Sequence, residues 1–201
     1  MKNVLVACEF SGTVRDAFIQ QGFNAVSCDI LPTESPGPHY QMDVIDLLHG
    51  SRGRWDLMIA HPPCTYLANS GVRWLYNKDG TENTERWRKM RAGARFFREL
   101  WLTDIPHIAV ENPVMHRYAK RIIGAEPAQS MQPWQFGHGE CKRTCLWLKN
   151  LPPLQPTDIV DGREQRIHRM APSEDRQKLR SVTYAGIANA MAKQWGEYLN
   201  A

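Results

Sequence analysis

The sequence predicts an α/β fold built on a parallel sheet, and three observations carry that prediction. The chain opens with a strand-length apolar run, a helical stretch and a second apolar run, which is a β-α-β unit. Further strand-length runs then alternate with helical patterns. Each run stops at polar or special residues, "CEFSGT", "CDI", "HPPC" and "ENP", where an open α/β sheet places its ligands.

Taken in order, "NVLVAC" (3–8) is the first strand. Val14, Phe18 and Ile19 follow at helical spacing, and Gly22 is the stop. "NAVSCDI" (24–30) is the second strand, "LPTESPGPHY" reads as loop, and "MDVIDLL" as a short helix or turn. "WDLMIA" is another buried strand. A long helix is expected over 82–102, with Trp87, Met90, Ala94, Phe97 and Trp101 on its apolar face. "HIAVEN" (107–112) is a strand that stops at Pro113, and "CLWL" (145–148) is a late one. "NLPPLQP" is loop, 161–181 is basic and weakly patterned, and Ile187, Met191 and Trp195 mark a closing helix.

The 201 residues suit one domain, long enough to bury a core without disulfides. The net charge of +4 is compatible with a polyanionic partner without requiring one. Five scattered cysteines do not form a secretory disulfide framework. The N-terminal apolar run is too short for a signal peptide, and nothing approaches the ~20 apolar residues of a membrane span. A reducing, cytoplasmic setting without membrane attachment is the expectation.

Several strand-end residues have chemistry to offer. Gly12 in "FSGT" lets a ligand approach the backbone at a helix N-terminus, or serves an ordinary βα turn. Asp29 is placed to hold a ribose hydroxyl pair and Asp43 an adenine amino group, unless each is a cap or a solvated acid. Cys64, behind two prolines, is a packed thiol, a metal ligand or a nucleophile. Glu111 in a cleft would have a raised pKa suited to a ring nitrogen. Cys141, Cys145 and His138 lack a convincing fourth ligand, so no metal is expected. The segment "YLANSGVRWLYNKDG" reads as a mobile lid, and the helix behind it is basic on one side.

"FSG", "CDI", "MDV", "PPC", "ENP" and the late "GIANA" occur in the order found in the cytosine-5 DNA methyltransferases, and the chain resembles that family from Val4 to about Trp195. The resemblance implies a Rossmann-like S-adenosylmethionine-dependent methyltransferase fold, a mostly parallel central sheet with flanking helices. It implies that Phe10, Gly12, Asp29, Asp43, Pro62 and Asn189 line the cofactor site. Cys64 would attack carbon 6 of cytosine, Glu111 would act at N3, and Arg143 would contact the flipped base. Pro63, Asn112 and Pro113 would complete the substrate side. Thr65 stands where the family has glutamine, and Ala188 where it has glycine.

The family also carries a target-recognition domain between the basic motif and the late one. Here a short basic insert, 151–182, stands in its place within a single catalytic domain of 1–201, offering Arg163, Arg166, His168 and Arg169 to phosphates. DNA is the first expected partner, with RNA or a free nucleotide as alternatives and an accessory protein supplying specificity. Two other readings stay open. An amino-group methyltransferase would use "HPPC" with Tyr66 as its Pro-Pro-aromatic loop, and a non-catalytic module would keep only the cofactor or nucleic-acid pocket.

Overall fold

In a computed structural model, the chain is described at residues 1–171, 173 and 176–201, apart from the side chains of 168, 176, 177 and 179. The offer of His168 to phosphate lies outside the described residues. Seven strands form one sheet: β1 (Asn3–Ala7), β2 (Asn24–Asp29), β3 (His39–Gln41), β4 (Leu57–Ala60), β5 (His107–Pro113), β6 (Gln129–Met131) and β7 (Thr144–Lys149). Their spatial order is β3-β2-β1-β4-β5-β7-β6. The first five run parallel, and β7 is antiparallel to both neighbours. The chain winds outward from β1 to β3, then returns to place β4 on the other side of β1. That reversal opens a crevice beyond the carboxyl ends of β1 and β4.

The period of two along the strands sorts side chains cleanly between two cores. Leu5, Ala7, Met58, Ala60, Ile108 and Val110 face α2 (Val44–Gly50), α3 (Thr84–Trp101) and α4 (Arg117–Ile123). Val4, Val6, Leu57, Ile59 and Ala109 face α1 (Thr13–Gln20) and α7 (Ala185–Asn200). α3 buries Trp87, Met90, Ala94, Phe97 and Leu100, and the Asn83 side chain caps its start by accepting from Arg86 N at 3.1 Å. α7 starts where only glycine fits: a Cβ on Gly186 would stand 1.8 Å from the Phe136 carbonyl oxygen. Among the described residues no helix is long and apolar enough to cross a membrane.

The mostly parallel sheet with flanking helices matches the sequence expectation. Two strands escape it. β3 ends the stretch read as loop, and β6 is only three residues long. Both are short, polar edge strands, which carry no apolar run to read.

Candidate active site

β1 delivers the first part of the site. Cys8 leaves the strand with φ 58, the left-handed region a non-glycine residue rarely enters. Glu9 then turns inward, 5% exposed, and accepts from Val14 N at 2.6 Å and Arg15 N at 3.2 Å. The chain's own carboxylate therefore satisfies the N-terminus of α1, the place the sequence reading reserved for a ligand. Burial raises the Glu9 pKa, opposed by the charge of His61 and by these two amides. Gly12 has φ 76, and a Cβ there would meet Arg15 Nη2 at 2.4 Å and the Ser35 Cβ at 2.9 Å. Its smallness thus serves the Arg15 guanidinium rather than an open approach to the backbone.

Arg15 is fully buried and is a residue the sequence reading missed. It donates to Ser27 Oγ (3.1 Å), Thr33 Oγ1 (3.2 Å) and the Ser35 carbonyl (3.0 Å), folding the 31–38 loop down. Glu34 N donates to the Phe10 carbonyl at 2.8 Å, so the same loop clasps the β1–α1 turn. Phe10 is 8% exposed, and Lys178 of α6 (Arg176–Ser181) holds its Nζ 5.5 Å from the ring centroid. Lys178 also pairs with Glu34. The insert thus reaches back over the end of β1.

Asp29 Oδ1 accepts from Leu31 N at 2.9 Å, and Asp43 Oδ1 from Ile45 N at 2.8 Å as the N-cap of α2. The other oxygen of each has no partner among the described residues. Burial first, then the charges of Asp29, Cys28 and Asp43, push the Cys8 thiol up, so both acids converge on the end of β1. The arrangement fits a ligand carrying a hydroxyl pair and an amino group.

β4 and β5 deliver the rest. His61 N donates to the Ala7 carbonyl at 2.9 Å, so the "HPPC" loop leaves from the crevice floor. His61 Nδ1 lies 2.8 Å from Glu111 Oε2, their side chains 9% and 12% exposed. Asn112 Nδ2 donates to the buried Pro62 carbonyl at 2.8 Å and braces the loop. The Cys64 carbonyl accepts from Leu67 N and Ala68 N, both at 3.0 Å, which closes the turn. Burial and the Glu111 charge raise the Cys64 thiol, while Lys142 and Arg180 pull it down.

Three expectations need correcting. The Glu111 pKa lies below the ordinary carboxylate value: burial pushes it up, but the His61 hydrogen bond, the His61 charge and Lys142 outweigh that. His61, the group responsible, carried no signal beyond its place in the loop. The charges that bear on the thiol are those of Lys142 and Arg180, and that of Lys142 also reaches Glu111. The side chain of Arg143 instead donates from Nε to Ser130 Oγ at 2.8 Å on β6. The lid is anchored: Leu67 and Leu75 are buried, Asn69 N donates to the Val114 carbonyl and His116 N to the Leu67 carbonyl.

Pro63 is exposed and lines a shallow groove of about 410 Å³ with Tyr66, Arg88, Lys89 and Phe96. Pro113 ends β5 opposite Thr144. Asn189 lies on the exposed side of α7 and is not brought to the crevice by any hydrogen bond among the described residues. Cys141 Sγ faces the Arg163 carbonyl at 3.6 Å, and among the described residues no group of three or more His, Cys, Asp or Glu could hold a metal ion.

No protein-family profile matches the chain, and no curated protein matches it. Among solved structures it is similar to an E. coli protein described as a DNA modification methyltransferase encoded within a prophage. That alignment has 15% identity and a TM-score of 0.49, covering 80% of this chain and 52% of the other. It is also similar to a mutant of Spodoptera frugiperda DNMT2, with 14% identity and a TM-score of 0.42, covering 83% of this chain and 55% of the other. The chain spans about half the length of the solved structures it matches.

Proposed function

We propose that the chain methylates carbon 5 of cytosine in DNA, using S-adenosylmethionine and a covalent Cys64 adduct. One observation carries this reading: Asn112, next to Glu111 at the end of β5, donates from Nδ2 to the Pro62 carbonyl at 2.8 Å, which draws the Cys64 loop onto the Glu111 strand end, where the charges of Glu111 and Lys142 bear on the thiol. A nucleophile, a carboxylate and a cation in one crevice are what addition to a pyrimidine ring needs.

Cys64 forms a bond from sulfur to carbon 6. Glu111, ionised at neutral pH, accepts from the exocyclic amino group, and its charge favours a proton at N3 as the ring takes up electron density. The thiol proton lost and the N3 proton gained balance, so the adduct is neutral and carbon 5 becomes nucleophilic. S-adenosylmethionine supplies the electrophilic methyl group when bound. Asp29 and Asp43, with one unengaged oxygen each, would hold its ribose and adenine edge beside Phe10. The amino-group reading is less well supported, because it leaves the Glu111–His61 pair beside the loop without a role. We read 151–182 as a basic insert that contacts the substrate within a single catalytic domain, with sequence selection left to the DNA itself or to a partner.

A covalent trap tests this. Incubation with cofactor and DNA containing 5-fluorocytosine should give a denaturation-resistant adduct that Cys64→Ala abolishes. Methyl transfer to ordinary DNA with no adduct would instead favour the amino-group reading. Absence of transfer to any nucleic acid or nucleotide would leave the binding module.

A further inference from the structure

The two ring nitrogens of His61 have different surroundings. Nδ1 is pinned to Glu111 at 2.8 Å. Nε2 is buried and has no partner among the described residues. An ionised Glu111 can only accept, so Nδ1 carries a hydrogen, and in the neutral ring Nε2 then carries the lone pair. Buried acceptors are rarely left unpaired. Glu9, buried at the end of β1 where it accepts from Val14 N and Arg15 N, also feels the His61 charge. A proton taken up by the ring would therefore be held by Glu111, which already accepts from Nδ1.

We propose that His61 is the base that removes the carbon-5 proton, an assignment that rests on the cytosine reading above. Glu111 would face N3 and the amino group, and Cys64 meets carbon 6. These two positions lie across the ring from each other. Of the two edges between them, one carries the sugar at N1 and the other carries carbon 5. His61 bonds to the first residue and shares a four-residue loop with the second; with the sugar on the N1 edge, the carbon-5 edge is the one left for it. Addition of the methyl on the face opposite sulfur leaves the carbon-5 hydrogen on the sulfur side, the side of the His61 loop. Nε2 takes that hydrogen as a proton. The carbon–hydrogen electron pair becomes the C5=C6 double bond, the C6–S bond breaks, and its pair leaves with sulfur as thiolate. The N3 proton returns to the thiolate, and the imidazolium releases its own to water.

His61→Gln keeps a side-chain amide able to donate to Glu111 but removes the base. With DNA tritiated at carbon 5 of cytosine, the wild type should release tritium with each turnover. The variant should still form the 5-fluorocytosine adduct, which also shows that it is folded. Its tritium release should fall about 10²–10⁴-fold, the usual worth of a positioned base. A methylated covalent adduct should accumulate on ordinary cytosine DNA. Tritium release at the wild-type rate would overturn the proposal. So would loss of the fluorocytosine adduct in step with tritium release, because His61 would then only position Glu111. Failure of the cytosine reading itself shows separately, as absence of any wild-type adduct.

Discussion

The strand-end crevice and the described part of the segment 151–182 meet at Phe10 and Lys142, yet they are held by different forces. The crevice stands on strands whose Val4, Val6, Leu57, Ile59, Ile108 and Val110 are wholly buried. At about 25 cal/mol per Å² of apolar surface, that burial dominates local stability. The insert buries Leu154 and Ile167 and otherwise relies on polar ties among the described residues. Cys141 N donates to the Glu164 carbonyl at 2.7 Å, and Glu164 N to the Gly139 carbonyl at 2.9 Å. Glu140 bonds both Arg166 Nη2 and Tyr184 Oη at 2.7 Å. The groups proposed to react thus sit on the stiff part. The segment reaching over Phe10 sits on the part that opens at the lower cost.

Gly12→Ala tests the stiff side hardest. An alanine with φ 76 costs about 1–2 kcal/mol by itself. Its Cβ also displaces a fully buried guanidinium, and breaking such a charge's partners costs about 3–5 kcal/mol. Urea unfolding should therefore lose at least about 3 kcal/mol, with the 31–38 loop exposed to protease. An unchanged urea midpoint would mean that Arg15 can move aside, and that the crevice rim is softer than its burial suggests.

Arg15 and His61 also show what sequence could and could not reveal. The five longer strands and α1, α3 and α7 were legible because apolar period is set by which face is buried. Cys64, Glu111 and Asn112 were legible because they end such runs. Arg15 falls within the arc of Val14, Phe18 and Ile19 on α1, but its charge marks it as a surface group; the 31–38 loop folding back gives the guanidinium its buried partners. His61 hid for a related reason, since its partner lies 50 residues away and only the β4–β5 pairing brings them together. The choice between Lys142 and Arg143 turns on one residue of register entering β7, which no composition argument fixes.

That register gives a prediction of intermediate size. Lys142 is a tie between the two regions: its charge reaches Cys64 and Glu111, while its Nζ donates to the Val182 carbonyl at 3.2 Å. A partly buried charge pair of this kind is worth on the order of 1–3 kcal/mol, so Lys142→Ala should slow adduct formation about ten- to hundredfold. Arg143→Ala, on the β6 side, should leave that rate close to wild type. Equal losses in the two variants, measured by single-turnover trapping, would restore Arg143 to the site and remove the link.

The smallest effect belongs to the insert's own tether. The Glu140 pKa lies below its ordinary value of 4.5: burial raises it, but the bonds from Arg166 and Tyr184 and the Arg166 charge outweigh burial. A carboxylate depressed in the folded chain stabilises it above the unfolded pKa, and loses that contribution as pH falls through the folded one. Arg166 is 61% exposed, so screening keeps the tie within about 1 kcal/mol. Between pH 6 and pH 3, amide exchange in 151–171 should therefore rise relative to exchange in β1, β4 and β5. Glu140→Gln should show the raised ratio already at pH 6 and little further change below it, with the melting temperature almost unmoved. If the insert and the sheet instead lose protection together, the two regions open as one unit, and the polar ties hold the substrate side as firmly as the apolar core holds the crevice.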